Sequence, residues 1–207
     1  MGDIKDKLIE KAIGEWEFFG RCTRSLSNAW HVVSDESDEP YKTHINRYWV
    51  SVGQPTWNGA TDEPWSAAFI SWCFKEAGAG AAFRGSAKHS IYIDRIRRDT
   101  AADAKLSLRD PGLVAVERGD LIWNVRGANP VATTYAKAVE RLKAGDFFIS
   151  HVDIVVEVRA GSCDSIGGNV SNRTPGGSVT RSTWKLAADG KLADPRKTWI
   201  GVVKNSL

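Results

Sequence analysis

Residues 64–78, PWSAAFISWCFKEAG, constrain the chain most. Phe69, Trp72, Cys73 and Ala77 recur at helical spacing, and Ile70 and Phe74 widen that stripe until almost no polar side remains. A helix of this kind is stable only when other elements surround it. Pro64 suits the first helical position, Asp62 and Glu63 stand where a cap and a first-turn acid belong, and Gly78 marks the stop.

The surrounding elements are legible in outline. Residues 3–19 place Ile4, Leu8, Ile9, Ala12, Ile13, Trp16 and Phe19 at three- and four-residue steps, an amphipathic helix. Residues 41–50 and 89–98 suggest shorter helices, and 131–143 a surface helix. Residues 34–40, SDESDEP, read as an acidic loop, and 51–64 as turn-rich loop. After residue 110 the pattern changes to strands: the end of 113–125, then 147–158, 163–170, 177–186 and 198–204. In 147–158, Phe148, Val152, Ile154, Val156 and Val158 share one face, and Ile149, His151, Asp153, Val155 and Glu157 the other. Helices first and an antiparallel meander second predict an α+β domain. We expect one domain over 1–207, with residues 1–60 as a helical N-terminal part and 131–143 as an inserted helix.

Composition excludes several function classes. The chain has 28 basic and 25 acidic residues, net charge +3, too weak for nucleic acid as the main partner. No run of apolar residues is long enough to span a membrane, and residues 1–16 lack the apolar core of a secretory signal. Cys22, Cys73 and Cys163 show neither a disulfide framework nor zinc spacing, and His31, His44, His89 and His151 are scattered, so no metal or other cofactor is expected. No phosphate-binding loop, dinucleotide fingerprint or zinc-protease motif is present.

Three pieces carry chemistry. Ser66 opens the buried helix, where unpaired backbone N–H groups and a partial positive charge favour a nucleophile and its oxyanion. His151 lies in a strand that can hold an imidazole rigidly. Asn169, in the run Ile166-Gly167-Gly168-Asn169, is placed to orient that ring, with Asp153 as reserve, about 6.6 Å from His151 along the strand. Each has a plainer reading. Ser66 suits a small packing position, His151 a structural histidine, Asn169 a turn or bulge residue, and Asp153 a solvated acid. His89 and Tyr92 suit a cleft, a helix cap or a core equally.

The motifs resemble a known group. EPWSAAFISWCFKEAG is similar to the nucleophile helix of the CHAP amidases and NlpC-type peptidases, papain-like enzymes that cut peptidoglycan amide bonds. RGDLIW (118–123), SHVDIVVEV (150–158) and IGGNVSN (166–172) are similar to their following strands, in the same order. The whole set resembles more closely the domain-of-unknown-function family 2272, which carries serine at this helix position. The resemblance implies a papain-like NlpC/CHAP-type domain, with N-terminal helices on a five- or six-stranded, mostly antiparallel sheet. It implies hydrolysis of an amide bond in a peptidoglycan stem peptide or at the muramyl–alanine junction. Ser66 would be the nucleophile, His151 the base and Asn169 the orienting group. Trp65, His89, Tyr92 and Gly168 would line the substrate cleft.

A lone domain of this type resembles a phage lysin or an antibacterial effector. Such a protein is made in the cytoplasm and delivered to the periplasm or wall of a target bacterium. An effector implies an immunity protein or a secretion-system carrier as partner. Serine in place of cysteine leaves two readings: a serine nucleophile on a papain-like frame, or an inactive wall-binding cleft. A serine esterase or transacylase is a third. A glycan hydrolase is a fourth, pairing Asp153 with Glu63 or Asp62.

Overall fold

The computed structural model describes residues 3–127, 131–170 and 176–207. Ser171 and Asn172, the last two residues of the 166–172 motif, lie outside these. Five α-helices are formed: α1 (Ile4–Phe18), α2 (Tyr41–Ser51), α3 (Ser66–Glu76), α4 (His89–Arg98) and α5 (Tyr135–Lys143). Eight strands are described: β1 (Cys22–Arg24), β2 (Trp30–His31), β3 (Leu106–Arg109), β4 (Leu121–Val125), β5 (Ser150–Arg159), β6 (Ser162–Val170), β7 (Ser178–Lys185) and β8 (Trp199–Asn205). They form one sheet in the order β2-β1-β7-β6-β5-β4-β8-β3. Every pairing is antiparallel except β1 with β7.

The α+β class therefore holds, with more strands than the five or six expected. The additional strands, β1, β2 and β3, are two to four residues long and lie toward the sheet edges. Residues 1–60 are correspondingly not all helical, because β1 and β2 extend the sheet between α1 and α2. The helix expected over 131–143 starts at Tyr135, where the Thr134 hydroxyl caps it by accepting from the Lys137 N–H.

The α3 helix is as enclosed as its composition requires: Ser66 through Phe74 are all buried. Its start departs from the expected cap. Trp65 is the N-cap residue and makes no side-chain capping bond, while Asp62 and Glu63 are exposed in the preceding turn. Alternation in β5 separates two apolar clusters. Val152, Ile154 and Val156 join Phe69, Ile70, Trp65 and the helices in the larger one. Val155 joins Ile122, Cys163, Trp184 and Val202 in the smaller. The three cysteines are free and buried.

Close approach of α3 to β6 depends on Gly168. A Cβ there would lie 2.6 Å from Trp65 Cζ3 and 2.7 Å from Phe69 Cβ. Gly168→Ala is expected to cost about 1–3 kcal/mol through overpacking. Gly14→Ala, on the exposed side of α1 with nothing within 4 Å of the new methyl, is expected to stabilise by about 0.5–1 kcal/mol. Urea denaturation midpoints of the two variants should move in opposite directions.

Candidate active site

Two helix starts meet at the site. Ser66 is the first residue of α3, and His89 is the first residue of α4. Ser66 Oγ and His89 Nε2 are 2.6 Å apart. The other ring nitrogen of His89, Nδ1, is 2.5 Å from the Tyr92 hydroxyl, three residues along the same helix. The imidazole is thus gripped on both nitrogens between a serine and a tyrosine. Ser66, His89 and Tyr92 are 2%, 5% and 0% exposed. Because the first N–H groups of α3 have no acceptor one turn back, the Ser66 end of that helix carries free donors.

Beside this trio lies a second pair. The His89 and His151 rings meet edge to face with centroids 5.7 Å apart. His151 Nε2 is 2.7 Å from Asp153 Oδ1, and Asp153 Oδ2 accepts from Ser165 Oγ at 3.0 Å. Ser165 Oγ in turn accepts from Trp184 Nε1 at 2.7 Å. Gly167 makes room for the pair, since a Cβ there would fall 1.8 Å from Asp153 Oδ1 and 2.9 Å from His151 Nε2. His151 Nδ1 is buried and has no hydrogen-bond partner among the described residues.

Electrostatics assigns protonation states. Burial pushes His89 well below the ordinary imidazole range, and the neighbouring His151 and Arg126 push the same way. Burial also lowers His151, more than Asp153 lifts it. Burial raises Asp153, but the His151 pairing and the Ser165 hydrogen bond outweigh this and hold it below its ordinary value. Near neutral pH both imidazoles are therefore uncharged and Asp153 is an anion. The carboxylate accepts from His151 Nε2–H, which leaves Nδ1 as a lone pair.

The expected site residues separate into groups. Ser66, His89, Tyr92, His151 and Asp153 come together in the sequence described above. The structure gives Ser66 a different hydrogen-bond partner from the expected His151, and gives His151 the reserve orienting group, Asp153. Asn169 Nδ2 donates to Glu36 Oε2 at 2.7 Å. Its φ of 56° and the register shift between Gly167 and Val170 make it a bulge residue. Trp65 does not wall a cleft. It is 1% exposed, stacks on Phe19 and Tyr48, and donates its Nε1–H to Glu36. Gly168 serves packing against the same tryptophan.

Glu36 was not anticipated. It is half-buried, and burial raises its carboxyl above the ordinary range despite the Trp65 and Asn169 hydrogen bonds. Nothing in SDESDEP distinguishes it from its acidic neighbours. Arg24, Arg126 and Lys197, which border the cleft next to His151, were also missed, because no motif around them marks them out in the sequence.

A family profile described as "Uncharacterized protein conserved in bacteria (DUF2272)" matches residues 7–205. The chain belongs to that family. No curated protein and no solved structure matches it. In this DUF2272 chain the matched span includes every residue of the cluster just described. Among the described residues no helix is long and apolar enough to cross a membrane.

Burial of the two imidazoles has a stability consequence. In the unfolded chain they take up protons near pH 6.5, while in the folded protein their values lie lower. Below about pH 6.5 the unfolded state therefore binds more protons, and stability falls as pH falls toward the folded values. The thermal midpoint should drop between pH 7.5 and 5.5, and His89→Gln should flatten that dependence. A wild-type midpoint independent of pH across this range would contradict the assignment.

Proposed function

We propose that this DUF2272 protein is a serine-dependent amide hydrolase whose substrate is peptidoglycan, cut in the stem peptide or at the muramyl–alanine junction. The observation that carries the reading is the 2.6 Å contact of Ser66 Oγ with His89 Nε2 at the start of a buried helix. With the His89 proton on Nδ1 and donated to Tyr92, the Nε2 lone pair accepts the Ser66 proton. Ser66 Oγ attacks the amide carbonyl carbon, and the developing oxyanion is met by N–H groups at the α3 start. The proton held by His89 passes to the leaving nitrogen as the C–N bond breaks. Water then hydrolyses the acyl-serine ester, with an imidazole again taking the proton. His151, its Nε2–H committed to Asp153, offers Nδ1 as a second acceptor for that water or for a substrate N–H.

Support for a papain-like NlpC/CHAP-type frame comes from the motif order: nucleophile helix, Gly-Asp strand, histidine strand, Gly-Asn strand. Support for peptidoglycan comes from the same resemblance. On this reading the protein acts as a lysin or a secreted antibacterial effector in the wall or periplasm of a target bacterium, and an effector would have an immunity protein or a secretion carrier as partner.

One observation favours a second reading, glycan cleavage by carboxylates. Asn169, which borders the cleft together with Asp153, donates to Glu36 Oε2 at 2.7 Å, bringing a second acid to the rim of that cleft; Glu36 is raised and Asp153 lowered, as an acid and its partner would be. Asp62 and Glu63, the acids first considered for that role, are exposed on their turn.

Mass spectrometry of purified peptidoglycan after digestion separates the two. New free amino groups on intact glycan are expected, and new reducing ends would replace the amide reading with the glycan one. Ser66→Ala should lower kcat at least about 10³-fold, and His89→Gln about 10²–10⁴-fold. Full activity in Ser66→Ala would end the serine mechanism.

A further inference from the structure

A cleft opens against His151 and Asp153. It encloses about 90 Å³ and is bordered by Arg24, Arg126 and Lys197, with Trp30 and Trp184 as apolar walls. At roughly 30 Å³ per water, that is room for about three waters or one small charged group. Three cations border it, and the one acid among its lining residues, Asp153, is already engaged by His151 and Ser165. Among the described residues none of the three cations has a carboxylate within 4 Å, whereas Arg159, Arg181 and Arg196 all do. Burial lowers Lys197, with Arg24 and Arg126 adding to the effect. Burial likewise lowers Arg24 and Arg126.

Unpaired polar atoms converge on the same place. His151, 5% exposed, borders the cleft with its Nδ1 unpartnered. Among the described residues Arg126 Nη1, on a second residue bordering the cleft, is buried and unpartnered too. Buried polar groups without partners are rare and costly, and a charged one most of all. Arg24 is held in place between two indoles, its Cζ 5.0 Å from the Trp30 ring and 5.0 Å from the Trp184 ring. The cleft thus combines fixed positive charge with open donors.

We infer that this cleft is a subsite for a carboxylate carried by the ligand, with Arg126 and Lys197 as the charged contacts. A carboxylate is favoured over a larger oxyanion by the small volume of the cleft. The inference deepens the hydrolase reading, and rests on it only in calling that ligand a substrate. The substrate class it names is an acidic acyl chain or peptide.

Binding is tested apart from turnover. Titration calorimetry of the Ser66→Ala protein with acetyl-glutamate methylamide, in both enantiomers, and with the isosteric acetyl-glutamine methylamide gives the charge preference directly. One glutamate enantiomer is expected to bind at least tenfold more tightly than its glutamine counterpart. Arg126→Gln and Lys197→Gln, each checked for an unchanged thermal midpoint, are expected to abolish that preference. Equal binding of the glutamate and glutamine compounds, or a preference surviving in both cation variants, overturns the subsite. Inorganic phosphate binding more tightly than either glutamate compound overturns the carboxylate assignment. A preserved preference in a protein that proves inactive on peptidoglycan leaves the subsite standing and removes only the hydrolase reading.

Discussion

Two adjacent glycines in one strand set the geometry of everything around them. Gly168 lets Trp65 and Phe69 of the α3 region press onto β6, and Gly167 lets the His151–Asp153 pair lie against the same backbone from its other side. Helix, strand and the hydrogen-bonded His151–Asp153 pair approach each other at distances that no side chain at Gly167 or Gly168 would permit. The enclosure of α3 follows, because a helix apolar nearly all round needs that close contact to lose its water. The placement of Ser66 follows in turn, since it is the first residue of the helix so held.

From that packing the site acquires its character. Ser66, His89, His151 and Asp153 are all nearly buried, so their hydrogen bonds act in a medium of low polarizability. Burial keeps both imidazoles neutral, and pairing keeps Asp153 charged. The same burial leaves the cleft cations short of counter-charge. A site with two neutral bases, one committed anion and three cations that, among the described residues, have no carboxylate within 4 Å is biased toward anionic ligands before any contact is made.

The fold was legible where periodicity was long. The helices over Ile4–Phe18, Tyr41–Ser51, Ser66–Glu76 and His89–Arg98, and the strands from Leu121 onward, follow apolar spacing within a few residues. The short edge strands were not, because Cys22–Arg24, Trp30–His31 and Leu106–Arg109 are too brief to show alternation. Ser66, His151 and Asp153 could be nominated from their local settings. That His89 would be the group touching Ser66 could not, because the contact joins two helix starts 23 residues apart. A histidine and a tyrosine three apart at a helix start, HSIY, were the available signal for that grip. Glu36 gave no signal at all: its pairing with Trp65 and Asn169 is made by folding.

The parallel pairing of β1 with β7 joins residues 22–24 to residues 180–182. It brings Arg24 to the same cleft as Lys197, so the wall of that cleft is drawn from nearly the whole length of the chain. During synthesis, the nucleophile helix emerges long before the strands that complete its surroundings. A nascent chain still lacking β7 therefore has its serine but neither its histidine relay's last tether, Trp184, nor the Lys197 member of its positive rim. Whatever the cleft binds, it becomes competent to bind only once Lys197 has been added.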